Sequence, residues 1–532
     1  MPFFDFHLHP TLKCLFSEDD AANNHVKLSP WTPIDTRNVP FLLRCCSDFQ
    51  YILASQGNLA QLVYNDCNLV CVALYIPEKD MLTDKMITQA EQSKLGVYLQ
   101  EKKITKIING NPYQLLMKDD WQTLTDAAKF RITDKKIKVI RRRADYNEND
   151  RNTLHVVFSV EGCHTLSTAL QNFSVPDILK NLDTLRGQLS LLSVNLTHLE
   201  NSPLCNQAYG MQFLSNDGFK PIGNGLAQGG RQVLQYCYTN KIMIDVKHLS
   251  LTSRLQLYAL RKTPEFQAIN QPIVCSHAGF TGISINEKAD YLYNQPRSFT
   301  AGYTLVWQGK PVKYGSSARP SFNASSINLY DEDILEILHS GGMIGLSLDK
   351  RILGFQDYEQ ESSGRSDYPL ETEYVSNKEM AGFLDPQGTG NAVTIGQAFE
   401  DGKCLGWDEI LDEGTVNPSL AEHHTRYFMA HVLHLIVLAQ NEDSGLDVNR
   451  VLQQVCIGSD FDGLINPIWI CPTADSLEYF KDQFEQDFTD FADESGVRLP
   501  NDFNINTFAD QLFFENGKNF VLNRLDVLNG VA

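Results

Sequence analysis

The segment Phe3-Phe4-Asp5-Phe6-His7-Leu8-His9-Pro10 decides how this chain is read. Its apolar opening predicts a β-strand. Side chains two residues apart on a strand share a face, so His7 and His9 present their imidazoles together. Neutral imidazole is a good ligand for zinc and similar divalent ions. A first strand that delivers two ligands from its C-terminal end is how a (β/α)8 barrel begins a metal site. A His-x-His pair is also common on solvated edges, so the rest of the chain has to decide.

Working outward, short apolar runs lie at 3–6, 69–75, 153–160, 188–195, 242–245, 272–276, 342–348 and 454–458. Between several of them run helical patterns, at 177–185, 229–239, 331–338 and 426–440. The alternation predicts the α/β class, and eight strands with intervening helices predict a closed TIM barrel. Residues 1–532 read as one barrel domain with two insertions, at about 279–326 and 350–420. Both follow a strand and so emerge on the C-terminal face, where they are expected to form a cap. Tyr291, Tyr293, Tyr303, Trp307, Tyr358, Tyr368 and Phe383 argue that the insertions pack rather than trail in solvent.

With 42% hydrophobic and 21% charged residues, the chain can bury a large core without staples. A formal charge of -20 disfavours nucleic acid and anionic membranes as partners. The short basic run from Lys135 to Arg143 reads as a solvated loop, and the acidic stretch 482–493 as a solvated face. Residues 519–527 read as a terminal helix. Twelve cysteines occur without Cys-x-x-Cys spacing, and Cys45-Cys46 are adjacent, which suggests small apolar side chains in a reducing compartment. The strand at residue 3 leaves no room for a signal peptide, and no run of ~18 apolar residues is present. A cytoplasmic protein is expected, and a homo-oligomer is compatible with the sequence.

Further candidate ligands follow the expected strands: Glu161, His198, His248, His277 and Asp460. Singly, such residues are more often helix caps or satisfied core groups. Together, at successive strand ends of a closed barrel, they converge on one point.

The segments Asp5-Phe6-His7-Leu8-His9, Val160-Glu161-Gly162, Leu196-Thr197-His198 and Gly225-Leu226 share an order with a known family. So do Ile244-Asp245-Val246-Lys247-His248-Leu249-Ser250, Cys275-Ser276-His277 and Ile457-Gly458-Ser459-Asp460-Phe461-Asp462-Gly463. The chain resembles the membrane dipeptidase (renal dipeptidase) family of binuclear-metal barrels, in the wider amidohydrolase group. The resemblance implies that His7 and His9 hold one metal, His248 and His277 a second, and Glu161 bridges both. It implies that His198 contacts and polarises the substrate carbonyl and that Asp460, rather than Asp462, relays the proton. Two positions depart from the family pattern. His9 stands where the family has Asp. Ser326-Ile327-Asn328 stands where the family carries an Arg-Asn pair that grips the substrate carboxylate, leaving Asn328 as the matching substrate contact. Arg297 and Arg319 are the nearby cations that the sequence offers in place of the missing arginine.

The chemistry is coherent on its own terms. Two divalent ions, expected to be zinc, can share a water-derived hydroxide when about 3.5–4 Å apart. That hydroxide would attack the amide of a small molecule or dipeptide. Asp460 would pass the proton to the leaving amine. The expectation is therefore a metal-dependent, dipeptidase-like hydrolase. The alternatives are a lactone, ester or N-acyl substrate on the same site, a barrel phosphoesterase, or a non-catalytic binding protein retaining the fold.

Overall fold

The computed structural model describes residues 1–19, 27–34, 54–91, 98–129, 134–170, 174–210, 216–293, 302–315, 320–354, 370–385 and 420–531. All eight expected strands form. They are β1 (Phe3–Leu8), β2 (Cys67–Leu74), β3 (Thr153–Val160), β4 (Leu191–Asn195), β5 (Met243–Asp245), β6 (Ile273–Ala278), β7 (Met343–Leu346) and β8 (Val455–Ile457). They pair in chain order, each parallel to the next. The seam closes just past β8, where Leu8 bridges Phe461 in parallel. There the His9 N–H donates to the Phe461 carbonyl at 2.8 Å and the Asp460 N–H to the His7 carbonyl at 2.9 Å. The result is a (β/α)8 barrel.

The helices form where apolar spacing and caps coincide. Val175–Gln188 starts on Ser174, whose side chain accepts from the Asp177 N–H, with Pro176 in the first turn. That helix runs through Gln188, which is why β4 begins later than the apolar run suggested. Gln228–Thr239, Leu251–Arg261, Asp331–His339 and Leu420–Gln440 follow β4, β5, β6 and β7 respectively. Their buried faces, including Leu182, Val233, Leu257, Ile334 and Ile436, pack against outward residues such as Val72, Phe158 and Ile244. Inside the barrel, Phe4, Leu69, Cys71, Val157, Leu192, Met243, Val274, Met343 and Cys456 form a separate cluster. Val521, Leu522 and Leu525 of the terminal helix Asn516–Leu528 plug this cluster from the strand-start end. The nine described cysteines are buried free thiols; Cys45 and Cys46 lie outside the described residues.

One local reading changes. Within the basic run, Lys136–Val139 is a strand rather than a loop, parallel to the first half of β3. Ile137 is buried there while the neighbouring lysines alternate outward, and the apolar side chain sets the pairing. The acidic stretch belongs to a helix, Leu477–Glu494, whose other face buries Phe480, Phe484, Phe488 and Phe491.

The insertions meet each other. Leu292–Tyr293, Tyr303–Gly309 and Leu370–Ser376 make a three-stranded antiparallel sheet from both insertions. Val306, Val375 and Phe383 pack with Leu251, Ile283 and Tyr330. The last strand falls in a stretch whose sequence shows little periodicity; its partner lies more than sixty residues away. Tyr358 and Tyr368 lie outside the described residues.

Close strand approach requires Gly345 and Gly458. A Cβ on Gly458 would sit 1.8 Å from the Ser276 carbonyl oxygen, and one on Gly345 would sit 2.1 Å from it. Gly458→Ala is expected to lower stability by about 3 kcal/mol, because backbone rather than a flexible side chain must yield. Gly187→Ala, where a Cβ meets nothing within 4 Å, is the matched control and should leave stability unchanged or raised. Denaturant midpoints of the two variants check this.

Candidate metal centre

The C-terminal mouth of the barrel gathers the histidines. The register of β1 against β2 slips between Asp5 and Leu8. Phe4 and Phe6 pack with the interior cluster, yet the His7 ring still turns into the mouth. Strict alternation forbids that combination, and the slip permits it. Asp5 caps the turn, with its carboxylate accepting from the His7 and Ser459 N–H groups. Glu161 follows β3 directly, its N–H donating to the Leu74 carbonyl. His248 and Asp460 both adopt left-handed backbone, with φ of 69° and 62°. Such strain in non-glycine residues gathers at functional sites.

One carboxylate faces five imidazoles. Glu161 lies 3.5 Å from His7 Nε2, 3.1 Å from His9 Nε2, 3.7 Å from His198 Nε2, 3.1 Å from His248 Nε2 and 3.6 Å from His277 Nε2. The rings pair nitrogen to nitrogen, with His7 Nε2 3.1 Å from His9 Nε2 and His248 Nε2 3.1 Å from His277 Nε2. Asp460 Oδ1 stands 3.9 Å from His7 Nε2 and 3.6 Å from His9 Nε2.

Burial drives the electrostatics. It holds His7 and His277 below the ordinary imidazole range and takes His248 down to about 3, so all three keep a free lone pair at neutral pH. Burial pushes the Glu161 carboxyl up, but the facing imidazoles, His198 and His7 foremost, more than offset it and hold it well below its usual range. For Asp460, burial and the charges of Glu161 and Asp349 act together and raise its carboxyl. His198 behaves oppositely to the other rings: burial pushes it down, but the charges of Glu78 and Glu161 carry it above the ordinary range.

This donor set fits divalent cations. Two Nε2 atoms 3.1 Å apart can share at most one proton, whereas a cation between them accepts a lone pair from each. His7, His9 and Glu161 form one trio whose ligand atoms lie within 4.8 Å of one another. Glu161, His198 and His248 form another, and His7, His277 and Asp460 a third. His7, His9, Glu161, His198, His248, His277 and Asp460 are therefore the residues that could hold metal.

Three groups beside the centre escaped sequence reasoning. Glu78 accepts from His198 Nδ1 at 2.6 Å, from the Leu199 N–H at 3.2 Å and from the Tyr75 hydroxyl. Ser276 places its Oγ between the Nδ1 atoms of His7 and His277. Lys247, 2% exposed, donates from its Nζ to the Ile327 carbonyl at 3.4 Å. Only the first carried a sequence signal, an acid shortly after β2. Ile327 itself is buried, with its side chain close to Gly210. Asn328 donates its amide N–H groups to the carbonyls of Ile352, Asn323 and Phe280, leaving its buried Oδ1 without a partner. Asp462 is committed to Lys13 and to the Gln56 and Gly57 N–H groups. Arg297 and Arg319 lie outside the described residues.

No family model and no curated protein matches the chain. Among solved structures, it is similar to a metallopeptidase from Rhodobacter sphaeroides liganded with a phosphinate mimic of the dipeptide L-Ala-D-Ala. The identity is 14%, the coverage 99% of each chain and the TM-score 0.47. A second is dipeptidase AC, a metallopeptidase of family M19, at 15% identity, with 99% of this chain and 98% of that one covered and a TM-score of 0.46. A third is an amidohydrolase from Pseudomonas aeruginosa, at 10% identity, with 99% and 97% covered and a TM-score of 0.42.

The protein purified with zinc is expected to retain about two ions per chain, and Glu161→Ala fewer than one, because the carboxylate that faces all five imidazoles is lost. Elemental analysis after dialysis measures this. Full retention by Glu161→Ala would remove the carboxylate from the centre.

Proposed function

We propose that this protein is a metal-dependent hydrolase of dipeptidase type, cleaving a small amide or dipeptide with two divalent ions, zinc foremost. The observation that carries the proposal is the single buried carboxylate, Glu161, set against five imidazole nitrogens in the mouth of a closed barrel. His7 and His9 would hold one ion, His248 and His277 the other, and Glu161 both. When bound, the ions would supply Lewis acidity: a more acidic water and a polarised carbonyl.

The chain's own groups do the rest. Glu78 fixes His198 through Nδ1, so that Nε2 faces the centre and can donate to the carbonyl oxygen as charge develops there. Asp460, beside His7 and His9, takes a proton from the attacking water and returns it to the leaving nitrogen. Burial and the charges of Glu161 and Asp349 raise its carboxyl, which favours its holding a proton. Lys247 supplies a buried cation near Ile327 for an anionic substrate group, and Asn328 Oδ1 an acceptor for an amine. The antiparallel sheet built from both insertions would cap this mouth. A lactone, ester or N-acyl bond would meet the same groups; the buried Lys247 favours an acidic substrate.

The direct test screens L-L and L-D dipeptides, lactones and phosphate esters with the zinc-loaded protein. Dipeptide turnover is expected, and turnover confined to phosphate esters would overturn the proposal. Asp460→Asn should keep its metal and lose about 10²–10⁴-fold in kcat, the usual worth of a positioned acid–base group. Lys247→Met should raise KM for a dipeptide about tenfold, the loss of one charge-assisted contact, while an uncharged ester is hydrolysed as before. Equal effects on both substrates would deny Lys247 an anchoring role.

A further inference from the structure

Ser276 occupies an unusual place behind the centre. Its Oγ lies 2.8 Å from His7 Nδ1 and 3.0 Å from His277 Nδ1. Each of these rings is paired through Nε2 with a different partner, His9 for His7 and His248 for His277. One buried hydroxyl therefore touches one ring from each imidazole pair. Among the described residues, His9 Nδ1 and His248 Nδ1 have no hydrogen-bond partner, and the link between the pairs on their Nδ1 side passes through Ser276. The Ser276 N–H donates to Asp245 Oδ1 at 3.3 Å, and the Ser276 hydroxyl lies within reach of the same buried carboxylate.

A proton inventory constrains this cluster. A neutral imidazole that offers its Nε2 lone pair to a cation carries its proton on Nδ1. When both rings do so, both Nδ1–H groups donate to the two lone pairs of Ser276 Oγ. The single hydroxyl proton must then turn away, and the Asp245 carboxylate is its neighbour. When the hydroxyl instead donates to one Nδ1, that ring carries its proton on Nε2 and its ligand lone pair is gone. The two tautomers are thus linked through one rotatable O–H.

We propose that Ser276 is a positioning residue shared by the two metal positions: with its hydroxyl turned toward Asp245, it accepts from both Nδ1–H groups and holds His7 and His277 in the tautomer that offers Nε2 to an ion. This rests on the two-ion reading above but is tested on binding rather than turnover.

Full-length protein stripped with chelator is titrated with Zn2+ by calorimetry, and histidine tautomers are read by 15N NMR. The wild type should take up two ions, with both His7 and His277 protonated on Nδ1 when loaded. Ser276→Ala should bind both ions about 10–100-fold more weakly, the usual cost of losing a hydrogen-bond partner behind a metal ligand. Ser276→Thr, which keeps the hydroxyl, should restore both affinities. Unchanged stepwise affinities in Ser276→Ala, or an Nε2-protonated His7 or His277 in the loaded wild type, would overturn the positioning role. The second readout needs no variant to fold. Two-ion loading that weakens in Ser276→Ala, without amide hydrolysis by the wild type, would sink the functional proposal alone; normal hydrolysis with loading unchanged in Ser276→Ala would sink the positioning role alone.

Discussion

The structure depends on one buried anion. Glu161 sits at the end of a central strand, out of water, and a carboxylate so placed is costly unless positive charge or donors surround it. Five imidazoles converge on it from four other strand ends, and those of His198, His7 and His248 outweigh the penalty of burial. Yet burial keeps most of those rings neutral, so the cluster holds more lone pairs than protons. That imbalance is what cations would relieve. Stability and chemistry are coupled here: the arrangement least comfortable without a cation is the one best prepared to receive it.

The barrel brings this about at its seam. The bonds that join β1 to the segment after β8 are made by the backbones of His7, His9, Asp460 and Phe461. Closing the cylinder and placing two ligands beside the proton-relay candidate are therefore one event. Strain is kept in the same place. His248 and Asp460 both hold left-handed backbone, and Gly345 and Gly458 let neighbouring strands approach the Ser276 carbonyl more closely than any side chain allows. A site on strand ends, backed by a close-packed wall, holds its groups more tightly than one on loops alone.

Around the mouth, the decorations are tied into the barrel by buried polar contacts. Glu373, on the last strand of the antiparallel sheet, accepts from the Ser326 N–H and hydroxyl and from Gln308. Glu379 accepts from the Gly225 N–H and the Ser250 hydroxyl. The sheet is thus hydrogen-bonded to segments that also carry Ile327, Asn328 and His248. A change in the sheet would be felt at the substrate side of the centre, because these ties are buried and leave little freedom.

Parallel strands covered on both faces read as continuous apolar runs, so all eight barrel strands were visible in the sequence before any contact was known. The ligand candidates were visible for a related reason, since each falls within or just after such a run. Other features had no local signature. The Lys136–Val139 strand looked like a basic loop because its apolar residues are outnumbered by lysines. Leu370–Ser376 became a strand only through a partner in the other insertion. Glu78, Ser276 and Lys247 are ordinary residues by composition, and they matter because of what folding sets beside them: His198, two imidazole nitrogens, and the carbonyl of Ile327. Periodicity is a property of neighbours along the chain, so sequence alone determined the elements and their order. Which atoms share a proton, a cation or a carbonyl depends on groups tens to hundreds of residues apart, and only the closed barrel brings those within 4 Å of one another.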